Sequence, residues 1–125
     1  MIRIIHFISS LSRGGKERQL STIVSRTDQG KYPSLIVYLN KRENSYIDEY
    51  NLYEQTKQVR SGRLLTRLIE LNKLLRKQKP DIVISWGNME SAMILFLKPF
   101  HNFRFLNGSI RHGVRANKLS HYFRS

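Results

Sequence analysis

Three places along the chain combine glycine with hydrogen-bonding side chains directly after an apolar run. They are Ser9 to Gly15, Ser85-Trp86-Gly87-Asn88, and Asn107 to Gly113. In the first, Ser12-Arg13-Gly14-Gly15-Lys16 puts two glycines where a strand hands over to a helix. Glycine lets a backbone come close to a ligand. The N–H groups of a helix start, with the positive end of its dipole, receive an anion such as phosphate. The spacing does not meet the dinucleotide fingerprint, whose third glycine has no counterpart, nor the P-loop, which needs Gly-Lys-Ser/Thr. A tight turn chosen for geometry alone stays open as the other reading of Gly14-Gly15. In the third place Arg111 and His112 are adjacent. A histidine there can exchange a proton or donate a hydrogen bond, and an arginine can pair with phosphate or carboxylate. A basic surface loop is the plainer alternative. His6 lies inside an apolar run and reads as a core histidine, whereas His101 and His121 read as exposed and inert. No histidine pair has zinc-like spacing and no Asp-x-Asp is present, so chemistry without a metal is expected. Zero cysteines exclude a disulfide framework, a thiolate metal site and a cysteine nucleophile.

The elements that must position these residues alternate. Met1 to Ile8 reads as a strand apolar on both faces, as in parallel sheets covered by helices on each side. Lys16 to about Thr27 carries Leu20, Ile23 and Val24 at helical spacing, with Gly30 and Pro33 after it. Ser34 to Leu39 is a second strand, and a short third is expected near Lys57 to Arg60. Between them, Lys41 to Gln58 is polar and tyrosine-rich and takes no clear assignment. After Gly62, Leu64, Leu65, Leu68, Ile69, Leu71, Leu74 and Leu75 form one broad apolar stripe of a helix closed by Lys79-Pro80-Asp81. Ile82 to Ser85 is a fourth strand, Met89 to Leu97 a helix ended by Pro99, and Phe103 to Leu106 a fifth strand. Strand and helix in turn predict an α/β fold, a Rossmann-like doubly wound parallel sheet of about five strands with helices on both faces. In such sheets ligands bind at the carboxyl ends of the strands. All three glycine-containing segments fall there.

At 125 residues the chain is one domain. No apolar run approaches the ~20 residues that span a bilayer, and the first residues lack the pattern of a secretory signal. A soluble, cytoplasmic protein is the expectation. The formal charge of +13 points to an anionic partner: phosphorylated ligands, an acidic membrane face or nucleic acid. A solubilising surface would account for it as well. The basic, leucine-rich helix from Arg63 to Lys79 could pack its leucines on the sheet, dock on an anionic membrane, or do both.

Taken together, these segments resemble the N-terminal domain of the GT-B glycosyltransferases, in particular family 4. The resemblance rests on Ile8-Ser9-Ser10-Leu11-Ser12-Arg13-Gly14-Gly15-Lys16-Glu17-Arg18-Gln19, which is similar to the family's strand end followed by Gly-Gly-x-Glu-Arg. Lys79-Pro80-Asp81-Ile82-Val83-Ile84-Ser85 resembles its Lys-Pro-Asp strand entry, and Asn107-Gly108-Ser109-Ile110-Arg111 its segment after the fifth strand. Lys16 stands where a small residue is usual, and Lys41 to Gln58 matches nothing in the pattern. The resemblance implies two Rossmann-like halves, with the sugar acceptor mainly on this one and the nucleotide-sugar on the other. Gly14 and Gly15 would approach the donor phosphates. Trp86 and Asn88 would line the acceptor side. Catalysis would fall to Arg111, at the place of the family's histidine, or to its neighbour His112.

The donor half of that family carries two glutamates eight positions apart, a separation that no pair has here. Residues 1–125 are therefore expected to be the N-terminal, incomplete Rossmann-like domain of a retaining hexosyltransferase and to be inactive without the C-terminal domain. The nucleotide-sugar is a substrate, so no cofactor is expected. The acceptor would be a glycan or a lipid-linked one in surface polysaccharide synthesis, with peripheral contact to an anionic membrane on its inner face. A small basic α/β nucleic-acid-binding module is the competing reading. It is the weaker one, because the aromatic residues are not interleaved with the basic ones.

Overall fold

The computed structural model describes residues 1–11, 15–41, 52–59 and 63–108. Its strands are β1 (Ile4–Leu11), β2 (Ser34–Lys41), β3 (Thr56–Gln58), β4 (Ile82–Ser85) and β5 (Arg104–Asn107). Its helices are α1 (Gly15–Arg26), α2 (Leu64–Gln78) and α3 (Asn88–Leu97), with single 3₁₀ turns at Tyr53–Gln55 and Lys98–Phe100. Every strand pair is parallel, and the sheet order is β3-β2-β1-β4-β5. This is the expected doubly wound, Rossmann-like sheet.

Period-two alternation divides the core. Ile4 and Ile8 of β1 share one cluster with Ile36, Ile82, Ile84 and the α1 residues Leu20 and Val24. Ile5 and Phe7 share the opposite cluster with Val37, Val83, Leu71, Leu74 and Leu75 of α2, and Met93, Ile94 and Leu97 of α3. A strand buried on both faces has no polar face to display, which is why these runs lack alternation. Burying each such side chain stabilises the fold by ~1.5–3 kcal/mol.

Three expectations need adjusting. β1 continues through Ser9 and Ser10 to Leu11, because Ser10 and Leu11 stay in register with Asn40 and Lys41 of β2. The third strand starts one residue early, at Thr56. Val59 then only donates its N–H to the Tyr38 carbonyl, at 2.8 Å. His101 is not exposed and inert. It is half-buried, with Nε2 2.6 Å from Asn72 Oδ1, and burial together with the nearby Arg76 lowers its pKa. His121 and residues 42–51 lie outside the described residues.

The Lys79-Pro80-Asp81 entry has a structural role. Lys79 takes a left-handed conformation (φ 48°) while its N–H still bonds the Leu75 carbonyl, and Pro80 ends the helix. Asp81 then accepts the Arg3 N–H at 2.8 Å, and Arg3 Nη1 donates to the Gln78 carbonyl at 3.1 Å. These contacts tie the end of α2 and the entry to β4 to the start of β1.

The leucine stripe of α2 is split. Leu71, Leu74 and Leu75 are buried, whereas Leu64, Leu65 and Ile69 are exposed. Leu75→Ala should therefore cost ~2–5 kcal/mol in urea denaturation, against less than about 0.5 kcal/mol for Leu65→Ala. Equal losses would contradict this packing.

Candidate functional site

β1 is paired on both sides, with β2 and with β4, and the helices following β1 and β4 leave for opposite faces of the sheet. The point between those two strand ends is the topological switch, where open α/β sheets bind ligands. Ser9 and Ser10 end one side of it. Gly15 begins α1, and Gly87 and Asn88 begin α3. Asn107 and Gly108 follow from β5, whose ladder continues through the Gly108 N–H to the Ser85 carbonyl at 2.7 Å.

Gly15 is exposed at the first position of α1. A Cβ built there meets nothing within 4 Å, and its φ is not positive. Among the described residues, neither crowding nor a left-handed backbone requires glycine here. The space above it lies at the positive end of the α1 dipole.

Gly87 is the opposite case. A Cβ there would fall on the Glu90 carboxylate. Glu90 is buried at 5% exposure, and its Oε2 accepts the Ser9 N–H at 3.1 Å. With Gly87 as N-cap, Glu90 is the third residue of α3. From that position a glutamate commonly reaches back to its own helix cap. Here it reaches across to the end of β1 and joins the two walls of the crevice. Glu17, in the first turn of α1, is likewise buried, at 1%. Both carboxylates sit where the helix dipole stabilises negative charge.

Sequence reasoning missed these two glutamates. A signal was present: Gly14-x-x-Glu17 and Gly87-x-x-Glu90 repeat one spacing after β1 and β4. The Ser85 and Ser91 hydroxyls, 2.6 Å apart, add a further brace. Ser91 Oγ donates to the Gly87 carbonyl at 2.8 Å, so Ser85 supplies the proton between them.

Trp86 was expected on the acceptor side, but its ring is 1% exposed and lies in the core. Its Nε1 donates to His6 Nδ1 at 3.1 Å. Because an indole only donates, His6 carries its ring proton on Nε2. Complete burial pushes the His6 pKa down to about 3. The expected core histidine is thus confirmed, and it is neutral. Trp86 supports the crevice from beneath. A Cβ on Gly108 would come 3.0 Å from its ring, so Gly108 packs directly on the indole. Asn88 is exposed at the rim. Gly14, Arg111 and His112 lie outside the described residues, so the structure brings together Gly15, Trp86 and Asn88 alone of the expected set. Among the described residues no group of His, Cys, Asp or Glu could hold a metal ion. Two open depressions line the opposite edge, where the strands begin, around Arg3 with Gln78 and around Asp81 with Arg104.

A solved structure titled lipopolysaccharide outer core galactosyltransferase WaaB, apo form, is similar to this fold, with a TM-score of 0.61 at 18% identity. The likeness covers 86% of this chain and 32% of that one, so the chain spans about a third of that protein's length. The likeness is one of fold. No protein-family model and no curated protein sequence matches the chain.

Two outcomes test this geometry. Glu90→Ala strands the Ser9 N–H and should lower stability by ~1–3 kcal/mol, whereas Glu90→Gln, which keeps an acceptor oxygen, should lose less. Equal losses by denaturant titration would deny the cross-strand bond its role. For His6 the folded pKa lies below the unfolded 6.5, so between about pH 6.5 and 3 the unfolded chain binds the extra proton. Stability should fall on acidification through that window by about 1.4 kcal/mol per pH unit more steeply than in His6→Gln. Parallel pH profiles of the two proteins would show that His6 is not held neutral.

Proposed function

We propose that this chain is the acceptor-side half of a retaining GT-B glycosyltransferase of the family 4 type, in which Gly14 and Gly15 approach the phosphates of a nucleotide-sugar. The observation that carries this reading is the open space over Gly15, at a helix start on the topological switch of a glycosyltransferase-like sheet. A glycine that neither backbone nor packing demands is accounted for by a ligand that comes close to it.

In this reading Asn88 meets the acceptor at the rim, while Trp86 keeps the floor of the crevice rigid. Arg111 or His112, beyond the fifth strand, supplies the charge or the proton that sugar transfer requires. The paired glutamates that grip the donor come from a second domain, so this half alone transfers no sugar. The acceptor is a glycan or a lipid-linked glycan of a surface polysaccharide. The +13 charge supports work beside an anionic membrane. Among the described residues no helix is long and apolar enough to cross one.

Titrating nucleoside diphosphates and nucleotide-sugars into the ¹⁵N-labelled chain should shift the amides of Ser9, Ser10, Gly15, Gly87 and Asn88. Incubation with the same donors should release no free sugar. Shifts confined to the opposite edge around Arg3 and Asp81, or none up to millimolar ligand, would overturn the site. Sugar release by the isolated chain would overturn the two-half reading, and salt-sensitive submicromolar binding of oligonucleotides would favour the nucleic-acid module.

A further inference from the structure

After a first turn that holds Asn88, Glu90 and Ser91, α3 is apolar all round from Ala92 to Leu97. Its inner positions Glu90, Met93, Ile94 and Leu97 recur at helical spacing and are buried against the sheet. On a water-facing helix the opposite positions would be polar. Here they are Met89, Ala92, Leu95 and Phe96, followed by Pro99 and Phe100. Met89 is 42% exposed, Leu95 52%, Phe96 64% and Phe100 68%. Contiguous apolar surface of this kind marks an interaction site.

Its surroundings are cationic. α2 packs beside α3 on the same face of the sheet. The outward side of its second half carries Lys73, Arg76 and Lys77, all exposed, and the exposed Lys98 follows α3 directly. An apolar strip flanked by lysine and arginine complements a bilayer surface that is apolar below and anionic above. The same cations, on a chain of net charge +13, repel a second copy placed face to face.

We propose that the outer face of α3, with the basic side of α2 beside it, lies on a membrane containing anionic lipid. Met89, Leu95, Phe96 and Phe100 enter the acyl boundary, and Lys73, Arg76, Lys77 and Lys98 meet the headgroup phosphates. This assignment rests on the membrane-side reading above and names the surface that performs it.

The test is co-sedimentation of the chain at low salt with phosphatidylcholine vesicles, with and without one-third phosphatidylglycerol. Binding should need the anionic lipid and weaken with salt. Leu95→Ser with Phe96→Ser should reduce it about tenfold or more while the circular-dichroism melt stays close to that of the parent. Lys73→Gln with Arg76→Gln should reduce it and flatten its salt dependence. In an otherwise intact chain, the indole introduced by Phe96→Trp should shift to the blue on binding and be quenched by brominated lipid. If the parent chain fails to sediment, the assignment falls together with the membrane reading. Undiminished sedimentation of the α3 variant, or an unquenched indole, overturns the assignment and leaves that reading standing. Dimers in analytical ultracentrifugation that the α3 substitutions dissolve would make the occupant a second copy and also overturn it.

Discussion

The whole arrangement depends on the pairing of β1 along both of its edges. The chain leaves β1 through α1 on one face and pairs β2 to one side. It then crosses the other face through α2 to place β4 on the opposite side. Right-handed crossovers permit this only if the connections after β1 and β4 diverge to opposite faces. Divergence leaves a gap between two neighbouring strand ends, and both helices that start there point their positive ends toward it. The crevice at the strand ends is thus a by-product of strand order. The side chains decide how firmly the gap is held and what fits in it.

Glu90 and Trp86 hold it. A gap between diverging loops is where backbone groups lose their ladder partners, and an orphaned buried N–H is costly. Glu90 meets that need for Ser9 from across the crevice, and the position it occupies leaves no room for a Cβ on Gly87. Beneath, the bond between Trp86 and His6 fixes a large ring as the floor on which Gly108 packs. Two glycines are therefore small because a neighbour fills their space. Gly15, at the mouth, has open space above it, and this contrast separates glycines that serve packing from one available to a ligand.

The fold was legible because strands buried on both faces must be apolar throughout, and leucines at helical spacing leave little doubt between the turns. β3 was harder: Thr56-Lys57-Gln58 is a polar, half-exposed edge strand, defined by its pairing with β2 and not by its composition. Ser9 and Ser10 read as turn residues, yet pairing with β2 carries the strand past them. The site was legible in location and less so in role. Counting by twos from Ile82 and Ile84 puts Trp86 on the α1 face of the core. The family resemblance instead implied a residue lining the acceptor side. Glu17 and Glu90 are charged residues in apparently ordinary helix starts. Burial of a carboxylate depends on a partner far along the chain, Ser9 for Glu90, which local pattern does not reveal.

The same limit applies to α3 and gives its composition a meaning. Met89 to Leu97 reads as a helix, and a helical segment apolar nearly all round is usually buried on all sides. A two-faced sheet with one helix layer on each side buries only the inner side. The outer side then needs a second apolar environment. The direction of the helix adds a consequence. α3 starts at the crevice and runs back along the sheet, so at ~1.5 Å per residue its ten residues carry the apolar strip ~15 Å away from the site. With that strip laid on a bilayer, Met89 and Asn88 bring the crevice mouth to the headgroup layer. A sugar acceptor anchored by its lipid could then reach the carboxyl end of the sheet while its chains stay in the membrane. The side of the crevice at Gly15, where the proposed function puts the donor phosphates, would stay open to water.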